Sequence, residues 1–294
     1  MKRFLVVAAA VLSLALLLDP SLALSDVGIL RNEPTADRFP IGARAQAMGG
    51  AFAAVADDGS AILINPAGIV STRWTNGYFE YGGKTSEVAS QRWAAALRAP
   101  AAGMSFGLGY FGWNDLAGST GDRFLLAAAR TLVEGTPGSY LAVGAALGGM
   151  FLVNGAHSPF VTGDVGVILK PLPVISFGYS ARNVTGGGIG DIERAYPRLQ
   201  RWGIAYFWEN AVTLSFEARH SGQETDLHYG LSVKTALPLE LMAGFSDGSA
   251  SGGLRWAGSR IKAIVSFAAD GKGAVTGTAA CEIALYRGRP REGQ

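Results

Sequence analysis

The chain carries one cysteine, Cys281, so no internal disulfide can staple it. It is also poor in charge. Charged residues make up 16% of its 294 residues, where a soluble domain carries about a quarter. The formal net charge is +2 and the basic residues are scattered, which gives nucleic acid no footing as a partner. The three histidines, His157, His220 and His228, stand far apart, with no H-x-x-x-H pair and no His/Cys cluster. No metal site and no cofactor is therefore expected. G-x-S-x-G is absent as well, so acyl transfer has no anchor and the chain is not expected to be an enzyme.

Long apolar runs are nearly absent too. A membrane-crossing helix needs about 18 or more consecutive apolar residues, and the one candidate lies at the N-terminus. Lys2 and Arg3 precede the unbroken stretch Phe4 to Leu18, Asp19-Pro20 ends it, and the small residues Ser21, Ala23 and Ser25 follow. This is the layout of an export signal, with cleavage after Ala23 or Ser25. Residues 1–25 are accordingly read as a signal peptide. No cysteine near them offers a site for lipid attachment.

What the chain has instead is alternation. Val212, Leu214, Phe216 and Ala218 are apolar, while Thr213, Ser215, Glu217 and Arg219 between them are polar. The same period-two pattern runs through 175–182, 228–234 and 261–267. Successive side chains of a strand point to opposite faces, so each segment has one apolar and one polar face. Fourteen such segments lie near 75–82, 89–99, 102–113, 123–132, 138–152, 160–170, 174–183, 199–207, 211–220, 226–235, 239–246, 250–256, 260–268 and 274–286. Many have the 9–11 residues or so that a tilted strand needs to cross a bilayer.

The fold expected is all-β: an antiparallel transmembrane β-barrel of about 14 strands. A soluble β-sandwich also alternates, but its second face is normally charged; here that face is largely Gly, Ala, Ser and Thr. Connections after even-numbered strands read as tight, such as Lys170-Pro171-Leu172-Pro173 and Trp208-Glu209-Asn210. Those after odd-numbered strands read as longer: Asn114–Gly121, Asn154–Pro159, Val184–Arg198, Ser221–Thr225. Outer-membrane barrels have short periplasmic turns, longer outside loops and an even strand number. Both termini then lie in the periplasm, with 287–294 a polar tail. Trp74, Trp113, Trp202, Trp208 and Trp256 fall at or near strand ends, with Trp93 a little further in, as rings seeking a membrane interface would. Putting Leu214 and Phe216 outward puts Ser215 inward.

The region before the strands, 26–73, does not alternate. Ala51 to Asp58 is expected to form a short helix. Asp57 and Asp58 are adjacent, which is poor geometry for a paired acid and base, and they are read as capping or solvating groups. Asn65-Pro66 alone is an ordinary turn signal. Phe106-Gly107-Leu108-Gly109-Tyr110-Phe111-Gly112 contains G-x-G-x-x-G, but inside a strand; its glycines are read as small or close-packed positions, not a nucleotide loop.

Taken together, Gly42, Arg44, Met48, Gly49, Gly50, Phe52, Asp57 and Asp58, followed by Asn65, Pro66, Ala67 and Gly68, form a long ordered signature. It resembles the N-terminal signature of the long-chain fatty acid transporter (FadL) superfamily of outer-membrane barrels, and most closely its PorV/PorQ branch of type IX secretion. Asp164-Val165-Gly166, Lys170-Pro171, Phe177-Gly178-Tyr179 and Arg182-Asn183 extend the likeness. The resemblance implies that residues 26–73 form a hatch inside a barrel spanning 74–286, with Asn65, Pro66, Ala67 and Gly68 as the hatch motif. Physics agrees that a filler is needed, because side chains alone fill a barrel of only about eight strands. Two functions follow: hatch-gated passage of hydrophobic small molecules, or a PorV/PorQ-like accessory role among secretion-system proteins. The surroundings expected in either case are the lipid and the outer membrane of a diderm bacterium.

Overall fold

A computed structural model describes residues 42–71, 75–84, 91–101, 103–114, 120–153, 160–184, 198–221, 224–246, 248–269 and 275–286. The expected signal peptide, the first part of the expected hatch (26–41), Trp74 and the C-terminal tail lie outside them. Two short helices, α1 (Ala43–Ala47) and α2 (Ala61–Ile64), and a 3-10 turn (Pro66–Ser71) precede fourteen strands. These are β1 (Thr75–Lys84), β2 (Gln91–Ala101), β3 (Met104–Asn114), β4 (Thr120–Glu134), β5 (Tyr140–Val153), β6 (Phe160–Leu172) and β7 (Ile175–Arg182), then β8 (Leu199–Trp208), β9 (Val212–Ser221), β10 (Glu224–Lys234), β11 (Leu239–Ser246), β12 (Ser249–Ala257), β13 (Ile261–Ala269) and β14 (Val275–Tyr286). Each strand pairs antiparallel with its chain neighbours, and β1 pairs with β14, closing the barrel with Thr75 opposite Tyr286.

The alternation resolves into two faces. Leu126 is 60% exposed and Val265 62%, and Phe79, Leu108, Leu147, Leu214 and Phe267 share that outer face. Their neighbours Tyr78, Glu80, Leu125, Ala127, Ser215 and Ser266 are buried on the inner face. A water-soluble barrel would turn its large apolar side chains inward. A continuous apolar outer belt is the arrangement of a transmembrane barrel, whose solvent on that side is lipid. No described helix is long and apolar enough to cross a membrane.

Local chemistry sets the irregularities. The β6–β7 register shifts between Leu169 and Leu172, around Pro171, which has no N–H for the ladder. Glu209 and Asn210 take φ of 48° and 56°, giving the tight β8–β9 hairpin the left-handed backbone that such turns require. One loop is shorter than the sequence suggests. β9 runs to Ser221 and β10 begins at Glu224, because pairing continues to the Ser221–Glu224 step and His220 Nδ1 lies 3.0 Å from Thr225 Oγ1.

The tryptophans divide. Trp208 and Trp256 stand exposed on the outer face at the short-turn end. Towards the other end Trp93 donates to Tyr110 Oη (2.9 Å), whose hydroxyl donates to Asp122 (2.5 Å), and Trp202 packs on Tyr179 at 4.2 Å. Trp113 departs from the expected interface position. It is 6% exposed, faces inward and stacks on Phe111 at 5.4 Å, because its strand parity is that of Phe111 and not of the outward Leu108.

Candidate functional site

Residues 42–71 lie within the ring of strands. From Gly42 to Ile69 all are buried except Asp57. The Ala-rich stretch Ala43–Ala47 forms α1 because alanine is the best helix former. Gly49 and Gly50, at φ 64° and 90°, end it. The helix expected over Ala51–Asp58 is absent. A single turn forms there, Ala56 N donating to Phe52 O (2.8 Å), and it goes no further, while Phe52 N and Ala53 N donate to Glu217 Oε2 of β9 at 3.0 and 2.8 Å.

The first part of the segment, Gly42 to Ala54, is hydrogen-bonded to the wall along its length. Gly42 N and Ala43 N donate to the Glu80 carboxylate (3.3 and 2.8 Å). Arg44 pairs with Glu240 at 3.0 Å and with Asp57, and its guanidinium stands 5.3 Å above the Phe52 ring. Burial works against the Arg44 charge, and the carboxylates of Asp57 and Glu240 outweigh it and raise its pKa. Gln46 donates to Thr276 O (3.0 Å) and accepts from Ser266 (3.2 Å) and Thr278. Gly49 N donates to Ser251 Oγ (3.0 Å), and His228 Nδ1 donates to Gly49 O (2.6 Å). Ser176 Oγ donates to Ala54 O (2.8 Å).

The second part turns on Asp58 and Asn65. Asp58 accepts from Ser60 N (2.9 Å) and Ser60 Oγ (2.5 Å), capping the turn that leads into α2. Burial pushes the Asp58 carboxyl above its ordinary value, which the Arg44 charge opposes without cancelling. Asn65 does two things at once. Its Oδ1 accepts from Ala67 N (3.2 Å), the local turn that an Asn-Pro step favours. Its Nδ2 donates to Ala53 O (2.8 Å) and to Val167 O of β6 (3.2 Å), tying the two parts of the segment to each other and to the wall. Pro66 opens the 3-10 turn, where its missing N–H costs nothing. Gly68 lies against Ala56 O so closely that any side chain would collide. Met48 and Phe52 are fully buried. The signature residues thus come together in one place, Asp57 at its edge, paired with Arg44 and with its carbonyl accepting from Ser71 and Arg98 at the short-turn mouth.

The wall makes room for this segment with glycine. A Cβ on Gly107 would lie 2.7 Å from Ile62, one on Gly144 2.5 Å from Ala67 N, one on Gly230 2.8 Å from Met48 O, and one on Gly253 2.7 Å from Ala47. Gly166, Gly178 and Gly244 are equally close to Asn65, Ala53 and Gly49. Gly107 and Gly109 of the G-x-G-x-x-G stretch belong to this girdle, as close-packed positions under Ile62 and Leu63.

The inner wall itself has two sectors. On β3 to β5 it is largely apolar: Phe111, Trp113, Leu125, Ala127, Ala142, Ala146 and Met150 are buried there. From β7 round to β2 it is polar and ionic. Glu217 has Arg219 at 3.5 Å and Arg201 at 3.9 Å, Arg255 pairs with Glu240 at 2.6 Å, and Arg98 and Lys262 pair with Glu282 at 2.8 and 3.0 Å. Within the β3 to β5 sector Arg123 of β4, in register with Phe111 and Met150, reaches across to Asp164 of β6 at 2.7 Å, and Asp164 also accepts from Asn183 N (3.0 Å). Glu80, Glu217, Glu240 and Glu282 were not singled out from sequence. Their signal was there: an acidic residue on an otherwise small inner face is costly unless something meets it. Among the described residues no group of three His, Cys, Asp or Glu side chains could hold a metal.

No protein-family model and no curated protein matches this chain. Solved structures do. The toluene transporter TbuX of Ralstonia pickettii superposes with a TM-score of 0.65 at 12% identity, covering 83% of this chain and 98% of that one. The Pseudomonas putida toluene transporter TodX gives 0.54 at 12% identity, covering 88% and 99%. A Pseudomonas aeruginosa FadL homologue gives 0.54 at 10%, covering 83% and 98%. At such identities the likeness is one of fold.

Proposed function

We propose that the protein is an outer-membrane barrel that passes hydrophobic small molecules, with residues 26–73 as its hatch and Asn65, Pro66, Ala67 and Gly68 as the motif that folds it. The observation that carries this is the sealed inner segment lying beside an apolar strip of wall. A water-filled pore would line its whole circumference with polar groups, as general porins do. Here one sector offers mainly hydrocarbon and aromatic surface, its Arg123 held by Asp164. Transport of toluene by the barrels that share this fold supports the same reading.

The chemistry asked of the protein is modest. It must shield an apolar solute from the polar outer leaflet and give it a surface no worse than lipid, which Phe111, Leu125 and Met150 do by dispersion and area burial. Specificity would come from width, not from hydrogen bonds. The test is entry of the hydrophobic dye N-phenyl-1-naphthylamine into diderm cells whose outer membrane carries the protein. Entry faster than in cells bearing an unrelated barrel of similar size is expected, and equal rates would overturn the proposal.

A second reading is an accessory barrel of the PorV/PorQ kind. It draws on the filled interior, which suits a wall that works through its rims. Recovery of secreted cargo or translocon components on the detergent-solubilised protein would support it, and purification always alone would count against it.

A further inference from the structure

The inner segment is held in two very different ways. From Gly42 to Ala54 its bonds run outward to the wall. Glu80 and Glu217 each take two successive backbone N–H groups, Arg44 reaches Glu240, Gln46 is bonded on both sides of its amide, and Gly49 is met by Ser251 and His228. From Asp58 to Ile64 the bonds run inward to the turn itself. Asp58 meets Ser60, Ala61 N donates to Asp58 O (3.1 Å), and Leu63 N donates to Ser60 O (2.9 Å). Arg182 Nη2 donating to Leu63 O (2.6 Å) crosses to the wall. Otherwise the turn rests Ile62 and Leu63 on the glycines of β3 and Gly59 on the ring carbons of Tyr78 of β1, contacts of carbon on carbon.

Carboxylates that accept from paired backbone N–H groups are strong, directional anchors, and losing one strands a buried charge. An apolar contact is different. A hydrophobic solute can replace it, contact for contact, at little cost. We propose that only the Asp58–Ile64 turn moves during passage, while Gly42–Ala54 stays fixed. The solute slides between Ile62–Leu63 and the inner face of β3 to β5, substituting for the side chains it displaces, and the turn carries its internal hydrogen bonds with it. This rests on the passage function proposed above, and deepens it by naming the track.

Two disulfide locks on the full chain, with Cys281→Ser throughout, test it. A Cβ on Gly107 would lie 2.9 Å from Ile62 Cγ1, and one on Gly230 lies 3.0 Å from Met48 Cβ. Ile62→Cys with Gly107→Cys therefore pins the turn, and Met48→Cys with Gly230→Cys pins the anchored part. Oxidation of the first pair should stop dye entry, with recovery on reduction, and oxidation of the second should leave entry unchanged. If the second lock also stops entry, or the first does not, the inference falls while the passage function stands. If the unmodified chain admits no more dye than an unrelated barrel, both fall. Hydrogen exchange on the unmodified protein is an independent check that needs no variant to fold. Amides of 42–54 should exchange slower than those of 58–64 by about tenfold or more, since each crossing bond adds to the free energy of opening. Equal protection would overturn the inference.

Discussion

The polar sector of the inner wall and the apolar sector opposite it face the same segment and treat it differently. Around β7 to β14 the wall meets the segment with charge: Glu217 takes the backbone N–H groups of Phe52 and Ala53, and Glu240 takes the Arg44 guanidinium. Around β3 to β5 it meets side chains with space, seating Ile62 and Leu63 on Gly107 and Gly109. One sector holds and the other accommodates. A barrel with only the first would be a permanently sealed cylinder. One with only the second would have nothing to keep its filling in register.

The comparison can be broken from several sides. The largest effect should come from Glu217→Ala. It removes the carboxylate beside Arg219 and Arg201 and leaves two buried N–H groups unmet, so a loss of about 3–5 kcal/mol is expected in urea unfolding followed by heat-modifiable gel mobility. A variant as stable as the parent would remove the anchoring role. Next is Leu214→Arg on the outer face, expected to cost roughly 2–4 kcal/mol in bilayers if the site faces mid-membrane lipid. Full tolerance there would refute the facing of the wall. Smaller effects should follow from a methyl added to the girdle. Gly144→Ala meets Pro66 and Ala67, Gly230→Ala meets Met48, and each should lose about 1–3 kcal/mol. Gly277→Ala, whose Cβ meets nothing within 4 Å, serves as the neutral control; an equal loss there would mean that the girdle glycines owe their cost to the sheet and not to the segment.

Much of the wall was legible in the sequence because a strand declares its two faces every second residue. Val212 to Arg219 alone shows which side of β9 meets lipid. The hairpin at Trp208-Glu209-Asn210 was legible for a similarly local reason. The interior was not, because its pairings join distant positions. Nothing near Phe52 announces that Glu217 will take its N–H, and so a helix was the natural expectation for Ala51–Asp58. Trp113 misled because composition at a strand end does not say which face a ring is on; only parity with Phe111 does. The signature from Gly42 to Gly68 was visible as a motif, yet its physics was only half visible. Asn65 looked like a turn residue, and it is one, but the same amide also ties Ala53 to Val167.

The seam between β1 and β14 has a consequence for assembly. It pairs the first strand residue, Thr75, with the last, Tyr286, so the ring cannot close until every other strand exists. Closing so long a loop is entropically the most expensive pairing in the sheet. The segment that fills the ring comes before β1 in the chain and touches strands all the way round it. It can therefore serve as a former on which the sheet is wound, each inward glycine fixing where a strand sits, so that the circumference is decided before the last two edges meet.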